Sequence, residues 1–229
     1  MINIVSKFID EKSLCKSDNK LLVAISGGGD SVALFLCLKE LGYDIELAHC
    51  NFNLRGDESD NDEEFVKQLA DKFGVRLHLK SFDTQKYADE NKVSIQMAAR
   101  DLRYKWFNEL LVDNNLNYIA VGHHKNDDVE TFFINLTRGS GLKGLLGIKS
   151  KNNKVIRPLL CVSRLEIEAY LSAVKQSFRE DSSNKSVKYL RNKIRYELIP
   201  LLTEMNPNIQ ETISNEIEIL GGVFQVFEE

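Results

Sequence analysis

Two kinds of apolar run alternate along the chain. Residues 21–25 are short, aliphatic and uncharged, the pattern of a strand buried on both faces of a parallel sheet. Residues 44–49, 76–79 and 118–121 read as three further strands. Between them the apolar spacing becomes helical. Residues 31–41 are apolar all round and stop at Gly42, whereas 62–73 keep Phe65, Val66, Leu69, Ala70 and Phe73 on one side and end at Gly74. Ser94 is placed to cap a long helix through Val112 with Ile95, Ala98, Leu102, Trp106 and Leu110 facing inward. Ile2, Val5, Phe8 and Ile9 mark one face of a short leading helix, expected to cover a sheet edge. Strand, helix and strand in succession make right-handed crossovers, so the expected fold class is α/β, a parallel twisted sheet with helices on both faces.

The second half departs from this rhythm. A helix is expected from about Asn126 to Arg138, followed by residues 139–147, where four glycines in nine positions predict a loop with tight turns. Residues 155–160 read as an extended edge piece limited by Pro158. Ser163 caps a helix to about Val174, the polar segment 178–186 is a connector, and a last helix runs over 208–220. The expected organisation is an α/β domain at 1–160 and a small helical extension at 161–229.

Composition narrows the class without deciding it. No stretch approaches the ~18–20 apolar residues that span a bilayer, and no basic, apolar and cleavage regions of a signal peptide open the chain, so a cytoplasmic protein is expected. The four cysteines, Cys15, Cys37, Cys50 and Cys161, are scattered, with no C-x-x-C to suggest zinc or a redox pair. Net charge is −4, yet residues 138–195 hold 14 Lys and Arg against 4 Asp and Glu. That basic segment, lying between acidic flanks, reads either as a solvated helical surface or as a face that tracks phosphates.

The first candidate for chemistry is S-G-G-G-D-S, Ser26 to Ser31, between the first strand and the first crossover helix. Glycines without Cβ atoms let a ligand approach the backbone, and the free N–H groups of a helix start favour an anion. Neither a dinucleotide G-x-G-x-x-G, which needs glycine where Val32 stands, nor G-x-x-x-x-G-K-[ST] fits this loop. The second is G-H-H-K-N-D-D-V-E-T, residues 122–131, at the same carboxyl edge of the sheet. His123 falls just before a helix, with Asp127, Glu130 and Thr131 on its first turns pointing one way. The polar stretch 50–61 after the second strand is expected to be a mobile substrate loop on that edge.

The loop Ser26, Gly27, Gly28, Gly29, Asp30, Ser31 resembles the S-G-G-x-D-S signature of the ATP pyrophosphatases, also called PP-loop proteins. Seven further segments extend the likeness over almost the whole chain: H-C-N-F-N-L-R (49–55), A-A-R-D-L-R-Y (98–104), G-H-H-K-N-D-D-V-E-T, T-R-G-S-G-L-K-G-L (137–145), R-P-L-L (157–160), E-D-S-S-N (180–184) and R-N-K-I-R-Y-E-L-I-P-L-L (191–202). Together they resemble the bacterial tRNA(Ile)-lysidine synthetase family. The family often carries acids just before A-A-R, where Gln96 and Met97 stand here. It also usually continues into a further C-terminal region, so the resemblance implies an N-terminal portion or a short form.

The resemblance implies an adenine nucleotide alpha hydrolase-like sheet and a two-step reaction. ATP adenylates C2 of the wobble cytidine of tRNA(Ile) with a CAU anticodon, and free L-lysine then displaces AMP to give lysidine. The glycine loop would hold ATP, Asp30 would help bind Mg²⁺, and His123, His124 and Asp127 would line the cytosine and lysine pocket. Arg138, Lys143, Arg191, Lys193 and Arg195 are assigned to RNA phosphates. Arg100 and Arg103, off the apolar stripe of the long helix, and Thr131 complete the expected substrate contacts. No membrane partner is expected, and a homodimer is left open. Alternatives within the superfamily are a tRNA thiolase or an ammonia-using ligase; outside enzymes, the alternative is an RNA- or nucleotide-binding module without turnover.

Overall fold

The computed structural model describes residues 1–179 and 190–228. The E-D-S-S-N segment lies outside the described residues. In chain order the elements are α1 (Ile2–Glu11), β1 (Lys20–Ala24), α2 (Gly29–Glu40), β2 (Asp44–Asn51), α3 (Asp57–Phe73), β3 (Leu77–Ser81), α4 (Thr84–Asn91), α5 (Ile95–Asp113) and β4 (Tyr118–Ala120). They continue with α6 (Lys125–Thr137), α7 (Gly141–Gly144), β5 (Lys151–Asn152), β6 (Val155–Ile156), α8 (Arg164–Ala173), α9 (Leu190–Lys193), α10 (Ile199–Met205) and α11 (Ile209–Glu228).

The sheet order is β3-β2-β1-β4-β6-β5, parallel except for the antiparallel β5–β6 pair. Successive side chains of a strand point to opposite faces, and β1 divides accordingly. Leu21 and Val23 join a core with α1, α2, α3 and α8, while Leu22 joins Trp106, Phe107 and Leu110 of α5 on the other face. This two-sided burial is why the strand carries no polar alternation. The chain leaves β1 toward β2 and β3, then returns to place β4 on the other side of β1. That reversal opens a crevice beyond the carboxyl ends of β1 and β4.

Several expectations are corrected in detail. Helix α3 begins at Asp57 rather than Asp62, because Asp57, Glu58 and Asp60 are favoured by the positive end of a helix, and the expected loop shrinks to a few residues. Residues 155–160 are no edge piece: β6 lies between β4 and β5, and Pro158–Cys161 turns as a short 3₁₀ helix. Helix α1 packs on α2 and that turn through the fully buried Val5 and Ile9. Helix α4, polar in composition, has no apolar period; it is capped by Asp83, which accepts from Lys86 N at 3.0 Å.

Two clusters account for the last third of the chain. Ile167 and Leu171 of α8 belong to the core beneath the glycine loop. Ile194, Ile199 and Ile217 instead pack with Val129, Phe132 and Phe133 of α6, so α6 is the element on which the later helices assemble.

Candidate active site

The turn from β1 into α2 is built from the residues expected to form it. Gly27 has φ of +90°, a conformation that side chains with Cβ rarely adopt. A Cβ there would also meet Phe65 at 3.3 Å. Helix α2 begins at Gly29, two residues before the expected start, so the N–H groups of Asp30 and Ser31 belong to its first turn. Ser31 Oγ donates to Gly28 O at 2.9 Å and accepts from Ser26 N at 3.1 Å, which fixes the loop around an open concavity.

Gly122, at the end of β4, lies against this turn. A Cβ at that position would sit 3.1 Å from Asp30 C and O and 3.2 Å from Ser31 N. Its φ is ordinary; close backbone approach is what requires glycine. The two motifs recognised separately in sequence thereby become adjacent walls of one site.

A cleft of about 850 Å³ opens at this edge. Ser26, Gly28, Asp30, Ser31, Gly122, His123 and Arg103 line it, together with His49, Asn51, Arg55 and Asp62. Its size suits a nucleotide-scale ligand. His49 was not singled out by sequence. Its Nδ1–H donates to Ile25 O at 2.9 Å and burial pushes its pKa down, so a neutral ring turns its bare Nε2 away from the strand. Its position at the end of a strand was the available signal.

Behind the cleft wall runs a chain in which acidic and basic side chains alternate. Asp30 Oδ2 lies 3.5 Å from Arg164 Nη1 and 3.7 Å from His124 Nε2; that nitrogen lies 3.6 Å from Asp127 Oδ2. Asp127 accepts from His124 N at 3.0 Å, capping α6, and its other oxygen is 3.6 Å from Arg195 Nη2. Arg195 grips Glu130 through two bonds, and Arg191 reaches Glu130 Oε2 at 3.6 Å and Thr131 Oγ1 at 3.1 Å. Burial pushes the Glu130 carboxyl up, against the pull of Arg195.

Two groups stand out by what they lack. Asp30 Oδ1 is buried with no hydrogen-bond partner among the described residues, and burial raises this carboxyl's pKa against the opposing pull of His124 and Arg164. His123 Nδ1 is likewise unpartnered, and burial lowers its pKa to about 4, so the ring is neutral at pH 7.

The structure separates the expected site residues by their surroundings. Asp30 and His123 face the cleft, whereas His124, Asp127 and Thr131 lie in the seam behind it. Arg138, Lys143 and Lys193 are exposed. Arg191 and Arg195, expected on RNA phosphates, are half-buried and committed to Glu130. Arg103 covers the Phe52 ring at 5.1 Å and Arg100 the Tyr104 ring at 4.9 Å. Arg164 and Arg179 were missed, because their partners Asp30 and Asp62 are more than a hundred residues away in sequence.

The PP-loop domain family matches residues 2–202. A tRNA(Ile)-lysidine synthase of Petrotoga mobilis is 36% identical over 220 residues, 94% of this chain and 70% of the relative. The chain belongs to the tRNA(Ile)-lysidine synthase family of PP-loop proteins. The namesake from Bacteroides thetaiotaomicron is 48% identical over 97% of this chain and 52% of its own length. Like it, the relatives from Porphyromonas gingivalis and Parabacteroides distasonis are about twice as long, so the chain spans about half the length of these curated relatives. Among solved structures, the U34-tRNA thiolase NcsA from Methanococcus maripaludis with its 4Fe-4S cluster superposes with a TM-score of 0.75 at 19% identity, over 96% of this chain and 77% of that one. That likeness is one of fold. The family brings ATP use with it, as the glycine loop implies. Among the described residues no helix is long and apolar enough to cross a membrane.

Proposed function

We propose that the chain carries the catalytic part of a tRNA(Ile)-lysidine synthetase: ATP adenylates the C2 oxygen of the wobble cytidine of tRNA(Ile), pyrophosphate leaves, and the ε-amine of L-lysine attacks C2 and expels AMP. The observation that carries this reading is the meeting of the glycine loop, Asp30 and His123 in one cleft at the sheet's switch point, in a chain of this family. In this reading 1–160 form the nucleotide-binding domain, and the extension from 161 supplies Arg164, Arg191 and Arg195 to its rear wall.

The C2 oxygen is a poor leaving group until adenylated, so the loop's first task is to orient phosphates. Backbone N–H groups at the start of α2, with the Ser26 and Ser31 hydroxyls, are the donors. Mg²⁺ fits the site on one count: Asp30 presents a buried oxygen that no donor among the described residues satisfies. Among the described residues no group of three or more His, Cys, Asp and Glu forms a cage, which agrees with an ion held by one carboxylate and phosphate oxygens. Such an ion would offset charge on the phosphates; Asp30 would hold it.

Lysine must attack as a neutral amine. With an ordinary pKa near ~10.4, deprotonation at pH 7 costs about 4.6 kcal/mol, whereas fixed orientation contributes up to ~7–11 kcal/mol. Positioning therefore outweighs ionisation, and a neutral His123 at the cleft suits acceptance of a hydrogen bond from the amine rather than of its proton. Asp127, in the seam, orients His124 and α6 and is the candidate to receive the ammonium if that wall opens. Arg138, Lys143 and Lys193 remain available to RNA phosphates, and Arg100, Arg103 and Tyr104 present faces on which an unstacked base can rest.

The test is mass spectrometry of the anticodon nucleoside after incubation with ATP, Mg²⁺, L-lysine and tRNA(Ile), each omitted in turn. Lysidine formed only in the complete mixture supports the reading. A thiolated or amidated product would assign the chain to another PP-loop chemistry, as would sustained turnover of ATP without lysine beyond one pyrophosphate per tRNA; no ATP consumption would make it a binding module.

A further inference from the structure

Arg157 is a buried cation without an acid. It is 7% exposed, and its side chain makes one hydrogen bond among the described residues, from Nη1 to Lys149 O at 2.7 Å. Its Nε is buried with no hydrogen-bond partner, and the guanidinium is in no ion pair with a described residue. Burial and the neighbouring Arg100 both work against this charge, while Tyr104 favours it. Buried charges are ordinarily paired, because taking an ion out of water without a counter-ion is costly.

The fold sets this cation beside the cleft. β6 runs parallel to β4 with Ala120 opposite Ile156, and Val121 N donates to Ile156 O at 3.1 Å, so Arg157 stands next to Val121, just before Gly122 and His123. Successive side chains of a strand point to opposite faces. Ile156 joins the core with α2, whereas Val155 packs with Trp106 and Phe107 of α5; Arg157 therefore falls on the α5 side, where Val121, Tyr104 and Phe107 line the cleft. The acids of the opposite wall are remote from it. Asp60 and Glu63, which each accept from Asn51 Nδ2 at 3.2 Å, belong with Asp62 to α3, packed on the other face of the sheet. Their strand β2 is separated from β6 by β1 and β4, three strand spacings or about 14 Å. Asp127 bears on His123, as Arg157 does, but it comes from α6 and is engaged with His124 and Arg195.

We propose that Arg157 receives the α-carboxylate of the amino-acid substrate and thereby selects free L-lysine over other amines of the same length. This rests on the lysine-transfer reading above. A guanidinium so deeply buried suits a small anion that the cleft can enclose; a phosphodiester held in an RNA chain cannot sink to it. Of the five N–H donors of a guanidinium, Lys149 O uses one, and those left over can form the paired bonds that a carboxylate accepts. Charges of both signs meet at His123, the acid from α6 and the cation from β6, as a zwitterion requires. The substrate's carboxylate then supplies the counter-ion that the chain itself withholds.

The test compares L-lysine, L-lysinamide and cadaverine as nucleophiles for the full chain with ATP, Mg²⁺ and tRNA(Ile), and measures the binding of each by calorimetry. Wild type is expected to prefer L-lysine by about tenfold to a hundredfold in kcat/KM, the worth of hydrogen bonds to a charged group. Arg157→Ala is expected to raise the KM for L-lysine by a similar factor, to shrink the preference to about twofold, and to leave the Kd for ATP and for tRNA within about twofold. Arg157→Lys keeps the charge without the fork, so it is expected to weaken L-lysine by about threefold to tenfold and L-lysinamide by less than twofold, even if the alanine variant fails to fold. Wild type that uses the three amines alike, or equal weakening of L-lysine and L-lysinamide in Arg157→Lys, overturns this proposal alone and leaves Arg157 a brace for Lys149. A raised KM for tRNA with the lysine preference intact also overturns it, in favour of an RNA phosphate. Wild-type protein that forms no lysidine overturns it together with the reading beneath it.

Discussion

Glu130 and Arg195 lie side by side in a two-pronged contact, Nε to Oε1 at 2.5 Å and Nη2 to Oε2 at 3.0 Å, with Glu130 only 1% exposed. Removing one member of a buried pair strands the other's charge, so Glu130→Ala should lower stability by about 3–5 kcal/mol. Glu130→Gln, which keeps the shape and one acceptor, should lose less. Urea unfolding checks both; a loss below ~1 kcal/mol in the alanine variant would place the pair with solvent-screened surface bridges.

Gly122→Ala tests the contact between the two motifs. The added methyl would press on the Asp30 and Ser31 backbone at 3.1–3.2 Å, where no side chain can swing aside. The start of α2 must yield, so the Kd for ATP should rise about tenfold, or ~1.4 kcal/mol. Equal ATP affinity in the variant would show that the loop does not depend on that close approach.

Two buried groups give opposite responses to acid. The folded pKa of His123, lowered to about 4, lies below its ordinary ~6.5, so its share of stability is present above ~6.5 and lost as pH falls toward 4. Asp128, raised to about 6 by burial, behaves in reverse: the folded state holds its proton longer, and stability is lost as pH rises from ~4 to 6. Asp128→Asn keeps an acceptor for Ile148 N and should be more stable than wild type at pH 7, with a steeper loss on acidification. Parallel stability curves for variant and wild type between pH 4 and 7 would remove Asp128 from this account.

Salt dependence separates the two classes of arginine and lysine. Neutralising Arg138 and Lys143 together should weaken tRNA binding and reduce the slope of log K against log salt by about one for each phosphate that no longer meets a cation, with Tm unchanged. Arg195→Gln should instead act on the fold through Glu130. Filter binding at several salt concentrations decides it: an unaltered slope in the first variant would return Arg138 and Lys143 to ordinary solvated surface.

How far the sequence could be read depended on the range of the interactions involved. β1, the glycine loop and the caps at Ser94 and Ser163 were legible, because each is fixed by neighbours within a few residues. Helix α4 was not, since a helix held mainly by a cap and by packing on α5 leaves little periodicity. Arg191 and Arg195 looked like phosphate ligands because charge alone was visible; their buried acid lies on α6, and no local pattern links the two. Gly122 looked like an ordinary strand end for the same reason. Its importance comes from α2, which passes beside it only in three dimensions.

The partner of Glu130 stands 65 residues downstream, and that of Asp30 134 residues downstream. During synthesis, therefore, the acids emerge from the ribosome long before the cations that balance them. A nascent chain can close β1, α2 and β4 around the loop, but Asp30 waits for Arg164 and Glu130 for Arg191 and Arg195 before the rear wall is paired. Order of translation thus makes the charge-balanced cleft one of the last features of the molecule to mature.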